Sequence, residues 1–197
     1  LNNMIRSKRV FISGAFSSYS ADIEEFSHSL SQYLSTYLLS NDYRIVNGIG
    51  RRFGTHLIGY ANEYLAKQGI KDIEKYLIIK PFVGNAEDAA QEKKRSREKT
   101  ISKCGTAIFV FGELDGNSTN SNSGVLEEFE IACNQHKVVI PISYPGMVSE
   151  TIWNIVKSNI TKFPYLEGKL DMLMSNQQPE TLAKLIIQIL DSIQEIS

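Results

Sequence analysis

A doubly wound α/β fold, with a mainly parallel sheet of five strands or slightly more flanked by helices, is what this sequence predicts. Short apolar runs rich in β-branched and aromatic residues alternate with longer stretches of helical periodicity, the pattern of repeated βαβ units. The clearest unit spans Gly105 to Pro141. Thr106 to Phe111 reads as a strand buried on both faces, Gly112 opens a polar Asn/Ser/Gly loop, a helix starts near Ser123-Gly124, and Val138 to Ile142 is the closing strand. Strands joined by such a crossover are parallel neighbours. In addition, the loops leaving the first, second and fourth strands all carry glycine, and in a parallel sheet those loops share one edge. The pattern is Rossmann-like, with one domain over residues 1–197.

The elements follow in order. Arg9 to Ser13 is the first strand, and Gly14-Ala-Phe16 begins its exit loop. A helix from about Ala21 places Ile23, Phe26, Leu30, Tyr33, Leu34 and Leu38 on one side; Ser20 suits its cap and Asp22 and Glu24 its first turn. Tyr43 to Val46 is a short second strand, ending in Asn47-Gly-Ile-Gly-Arg-Arg-Phe-Gly54, the densest glycine cluster of the chain, which feeds a helix over Thr55 to Lys67. Ile73 to Phe82 supplies the third strand, Gly84 and Asn85 lie in a loop, and a charged helix covers Asp88 to Lys103. After the Gly105–Pro141 unit come a helix over Ser149 to Ser158, an irregular stretch over Phe163 to Asn176, and an amphipathic helix from about Pro179 with Leu182, Leu185, Ile186, Ile189, Leu190 and Ile193 as its stripe.

Composition excludes several classes. With 42% hydrophobic and 22% charged residues the chain has the balance of a soluble globular protein. A formal net charge of −1 gives nucleic acid or an anionic membrane no reason to be the main partner. No apolar run approaches the ~20 residues of a membrane span. The two cysteines, Cys104 and Cys133, have no metal-type spacing and read as reduced thiols in a cytoplasmic setting. The chain opens Leu-Asn-Asn-Met, which fits a domain cut from a longer protein or a short remnant before Met4.

Glycine after a strand lets backbone N–H groups approach a phosphate, and the following helix adds its positive end. Gly48-Ile-Gly50-Arg51-Arg52-Phe53-Gly54 has this character with a G-x-G-x-x-x-G spacing, and two guanidinium groups beside it suit phosphate. The alternative is a tight turn with both arginines solvated, although cations at a helix start oppose its dipole. Gln91 to Lys99 reads mostly as a solvated helix face, with Arg97 set apart from it. Glu127 and Glu128 fit either a helix start or a carboxylate that accepts from sugar hydroxyls; no second acidic cluster or histidine accompanies them for acid–base catalysis. His28, His56 and His136 are scattered without metal spacing, and neither cysteine has a histidine beside it, so neither a metal centre nor a nucleophile is expected. Loop aromatics such as Phe16, Tyr19, Phe53, Phe82 and Tyr144 are candidates for stacking on a base. Asn117 to Ser123 is the one low-complexity piece and reads as a loop tip.

Four blocks in order carry a resemblance: Val10-Phe-Ile-Ser-Gly-Ala15, the Gly48 to Gly54 loop, Arg97-Glu-Lys-Thr-Ile-Ser-Lys-Cys-Gly-Thr-Ala-Ile-Phe-Val-Phe-Gly112, and Gly124-Val-Leu-Glu-Glu-Phe-Glu130 followed by Val138 to Ile142. Together they resemble a SLOG domain, and within that family the C-terminal sensor domain of the effector in bacterial Thoeris anti-phage defence. The similarity runs from about Arg9 to Trp153, with weaker correspondence beyond.

The resemblance implies a cytoplasmic sensor rather than a catalyst. A TIR-domain partner makes a cyclic ADP-ribose isomer, the SLOG domain binds it, and a linked effector domain destroys NAD; SLOG domains also associate with one another, as dimers or larger assemblies. No cofactor other than this ligand is implied. By matching position, Arg97 is the ligand-binding arginine and Glu127 or Glu128 the acidic contact. Gly14, Ala15, Phe16, Gly48, Gly50, Arg51, Arg52, Phe53, Gly54, Phe111, Gly112 and Glu113 complete the expected lining. A basic residue expected soon after the Phe-Gly turn is replaced by Glu113-Leu114, and Arg51 or Arg52 is the substitute for its charge. The alternative function is nucleotide hydrolysis of the cytokinin-releasing kind. Its PGGxGTxxE motif is missing here, where Gly124-Val-Leu-Glu127-Glu128 keeps only a glycine followed by acids.

Overall fold

A computed structural model describes residues 7–17, 20–81, 89–113 and 124–195 of the chain. Five parallel strands form one sheet: β1 (Arg9–Ser13), β2 (Arg44–Asn47), β3 (Leu77–Ile79), β4 (Thr106–Val110) and β5 (Val138–Ile142), in the order β3-β2-β1-β4-β5. The helices are α1 (Ala21–Ser40), α2 (Phe53–Lys67), α3 (Ala89–Ser102), α4 (Gly124–Asn134), α5 (Val148–Ser158) and α6 (Pro179–Glu195). The expected doubly wound α/β fold is the observed one. Strand order reverses between β1 and β4, whose registers pair Val10 with Thr106 and Ser13 with Phe109. A crevice opens at such a reversal, outside the carboxyl ends of the two strands.

The central strands are apolar on both faces, as a sheet covered on both sides requires. Phe11, Ile12, Ala107, Ile108, Phe109 and Val110 are all buried. The helices fall into two groups, with α1 against α2 and α6, and α4 against α3 and α5. On α1, Leu30, Leu34 and Leu38 recur every four residues and are fully buried, and so are Ser27, Ser31 and Ser35 one register along. Small side chains let α2 come close, and Ser35 Oγ bonds back to Ser31 O at 2.7 Å and reaches Leu57 O at 3.4 Å.

Local departures from the expected boundaries have physical causes. Tyr43 precedes β2, with its ring buried rather than in the ladder. The long third strand shrinks to Leu77–Ile79 behind a 3₁₀ turn over Ile73–Lys75, because β3 is an edge strand that pairs only with β2. Part of its expected span, with Phe82, Gly84 and Asn85, lies outside the described residues. The irregular stretch resolves into 3₁₀ turns and one parallel bridge, Ser143 with Met174. That stretch blunts the other edge: Tyr165 Oη accepts from Val139 N at 2.8 Å and donates to Val139 O at 3.1 Å.

Candidate functional site: a cavity at the β1–β4 switch point

Three strand-exit loops are tied to one another beneath this crevice. Asn47, buried at the end of β2, donates to Ile12 O at 2.8 Å and accepts from Ile49 N at 2.7 Å, so one amide fixes both β1 and the glycine loop. Gly112 N donates to Ala15 O at 2.9 Å, joining the β4 loop to the β1 loop. Val148 N and Ser149 N donate to Gly112 O and Phe111 O, both at 2.8 Å, which anchors the β4 loop on α5. Gly50 passes so close to β1 that a Cβ there would lie 2.0 Å from Gly14 O. The loops are also strained: Ile49, Arg52 and Phe111 have positive φ of 58°, 53° and 59°. Three of the five such non-glycine residues among those described therefore sit at this edge, and backbone held in that region costs about 1–3 kcal/mol per residue.

The loops enclose a cavity of about 340 Å³, inside the roughly 300–1,000 Å³ range of small-molecule sites. Its floor is the end of β1, its sides are the β2 and β4 loops, and its far wall is α3 with the start of α4. Of the sequence-predicted residues, Gly14, Ala15, Gly48, Gly50, Arg51, Arg97, Gly112, Glu113 and Glu128 line it. Gly54 supports the loop from behind, where a Cβ would meet Asn47 Oδ1 at 2.9 Å.

Arg97 and the two glutamates form the electrostatic centre. The Arg97 guanidinium donates from Nη1 to Glu127 Oε2 at 2.5 Å and from Nε to Glu128 Oε1 at 3.0 Å. It lies so near the start of α4 that a Cβ on Gly124 would meet its Nη2 at 2.6 Å. A cation opposes the positive end of a helix, and two carboxylates in the same turn offset that. Glu128 is buried and also accepts from Ser13 Oγ at 2.5 Å. Burial pushes its carboxyl above the ordinary carboxylate range, against the opposing pull of Ser13 and Arg97. The two glutamates differ in place: Glu128 lines the cavity, and Glu127 holds Arg97 from outside it.

The two arginines of the glycine loop also separate. Arg51 lines the cavity, whereas Arg52 turns to α1 and sits 3.5 Å from Glu24 Oε2. Three expected ligand contacts have another role. Phe16, Phe53 and Phe111 are fully buried, with Phe16 and Phe53 edge-on to Phe111 at 5.0 and 5.2 Å, so their rings support the loops and do not face the cavity. Tyr144 joins this aromatic cluster, 5.2 Å from Phe111. Tyr19 and the Asn117–Ser123 loop lie outside the described residues. Glu113, standing where a basic residue was expected, accepts from Ser17 N and Oγ at 2.6 and 2.5 Å and so bridges the β1 and β4 loops.

Ser13, Asn47 and Lys93 line the cavity without having been singled out from sequence. For Lys93 the signal was present: it precedes Arg97 by four residues, hence shares its helix face. Lys93, Arg51 and Arg97 give the cavity three cations against the carboxylates of Glu113 and Glu128. Such a lining offers cations to an anion and carboxylates to hydroxyl groups.

The profile of the STALD family, the Sir2- and TIR-associating SLOG family, matches residues 1–193. The chain is 29% identical over 202 residues to the NAD(+) hydrolase ThsA of Bacillus cereus (strain MSX-D12), covering 100% of this chain and 42% of that protein. It is 28% identical over 199 residues to the NAD(+) hydrolase ThsA of Enterococcus faecium, covering 95% and 40% respectively. It thus spans about two-fifths of the length of the curated relatives it matches. The chain belongs to the STALD family of SLOG domains.

Proposed function

We propose that this domain is the sensor portion of a Thoeris defence effector: it binds a cyclic ADP-ribose isomer made by a TIR-domain partner and thereby activates a linked NAD-hydrolysing domain. The observation that carries the reading is the cavity at the β1–β4 switch point, which Arg51, Lys93 and the buried Glu128 carboxylate all line. In this reading the pyrophosphate meets Arg51, Lys93 and the N–H groups of the glycine loop. Glu128, held in place by Arg97 and Ser13, accepts from a ribose hydroxyl. Ile49, 46% exposed at the rim, supplies apolar surface for the base that the buried phenylalanines do not. The match to the STALD family and to proteins named NAD(+) hydrolase ThsA supports the biological setting. Binding drives an effector only by favouring one arrangement over another, and self-association into a dimer or larger assembly is the proposed route.

The test is calorimetric titration with cyclic ADP-ribose and its ribose-linked isomers, with ADP-ribose and NAD as controls and chromatography of the mixture afterwards. Saturable binding selective for one cyclic isomer, with the nucleotide recovered intact, is the expected result. Failure of every cyclic isomer to bind, or steady conversion to product, overturns the reading.

A further inference from the structure

Away from the cavity, on the outer side of the glycine loop, α1 and α2 bring three donors together. Glu24 and His28 are one turn apart on α1, and His56 lies in the first turns of α2. Sequence spacing did not reveal this group, because the third donor comes from another helix. Glu24 Oε1 is 3.7 Å from His28 Nε2 and 3.3 Å from His56 Nε2, and all three atoms lie within 4.8 Å of one another. Two donors of a tetrahedral zinc ion, each about 2.0–2.1 Å from the metal, are roughly 3.3 Å apart. The two distances from Glu24 therefore already stand near the separations of an assembled site. Among the described residues, no other group of three or more histidine, cysteine or carboxylate donors is this close.

We propose that Glu24, His28 and His56 bind a divalent transition-metal ion of the zinc class at the α1–α2 junction. The outer contacts fit this role. A metal-binding imidazole presents one nitrogen to the ion and has its other nitrogen held by a neighbouring group, which fixes ring and tautomer. Here His56 Nδ1 is 2.8 Å from Ser27 Oγ and His28 Nδ1 is 3.2 Å from Tyr60 Oη, so both Nε2 atoms are left for the ion. Glu24 Oε2 is buried and makes no hydrogen bond among the described residues; the Arg52 guanidinium is 3.5 Å away, and the carboxylate keeps acceptor capacity for an ion. The rings stack at a centroid distance of 3.8 Å and an interplanar angle of 22°. The half-exposed His28 ring must rotate for both lone pairs to converge. Two imidazoles and one carboxylate leave a fourth position for water, a ligand set suited to zinc. The thiols do not compete, since burial raises Cys104 to about 12 and Cys133 to about 11. An ion on Glu24 would also compete with Arg52, the residue next to cavity-lining Arg51.

The chain has three histidines, so imidazole proton NMR of the unaltered chain reads the site directly. On titration with zinc chloride, the His28 and His56 signals should shift together and saturate at one ion per chain, with His136 unmoved. Calorimetry with the same salt should give a single site that His28→Gln weakens at least tenfold. At 100 times the dissociation constant, zinc should raise the unfolding midpoint by about 5 °C or more. No saturable shift at His28 and His56, an equal shift at His136, or undiminished binding in His28→Gln overturns the proposal. None of these readouts depends on nucleotide binding.

Discussion

Replacing Arg97 by alanine should destabilise this domain, whatever it does to ligand binding. Among the described residues the guanidinium is the one cation paired with the buried Glu128 carboxylate, and its side chain is itself only 16% exposed. Removing one partner of a buried ion pair costs about 3–5 kcal/mol, because the surviving charge is stranded. Ser13 Oγ remains on Glu128, so the lower half of that range is expected. For a chain of this size, 3–4 kcal/mol lowers the unfolding midpoint by roughly 6–16 °C. Neutralising the stranded group should recover much of the loss, since a glutamine amide carries no buried charge and can still bond Ser13. In Arg97→Ala/Glu128→Gln the expected coupling is about 1.5–3 kcal/mol. Urea unfolding of the parent, both single variants and the double variant at pH 7 measures the cycle. A loss below about 1 kcal/mol in Arg97→Ala, or strictly additive losses, refutes the reasoning and returns Arg97 to the role of a direct ligand contact.

Because burial raises the Glu128 carboxyl, the parent should lose stability relative to Glu128→Gln as pH rises from the unfolded value near 4.5 through the raised folded value. Urea midpoints of the two proteins between pH 4.5 and 8 test this, and parallel curves would contradict it. Gly50→Ala should cost about 1–3 kcal/mol, since the new methyl meets the backbone oxygen of Gly14 rather than a side chain that can swing aside; Gly59→Ala, where nothing lies within 4 Å, is the control in the same thermal melts. Lys93→Ala should weaken cyclic nucleotide binding about tenfold, ~1.4 kcal/mol, with stability unchanged. Lys94→Ala, one residue on and outside the cavity, should leave affinity as it is. Equal effects of the two would remove Lys93 from the site.

Local pattern determined a great deal here. Five apolar runs, the glycines that end three of them and the helical stripes between them depend on residues a few positions apart, and β1, β4, β5 and α6 follow from them almost residue for residue. The helix-face relation of Lys93 to Arg97 was equally local. What the sequence left open are contacts between residues far apart in the chain. Arg97 reaches glutamates about thirty residues away, so only the packing of α3 on α4 shows that it holds Glu127 and Glu128. Arg51 and Arg52 are adjacent and chemically identical, yet a positive φ at Arg52 sends one to Glu24 and leaves the other at the cavity. Phe16 and Phe53 read as candidates for stacking on a base; the fold instead converges them with Phe111 into one buried cluster. Periodicity encodes which face of an element is apolar, but which faces meet is fixed only when the chain closes on itself. The choice of contacts at the cavity belongs to that closure.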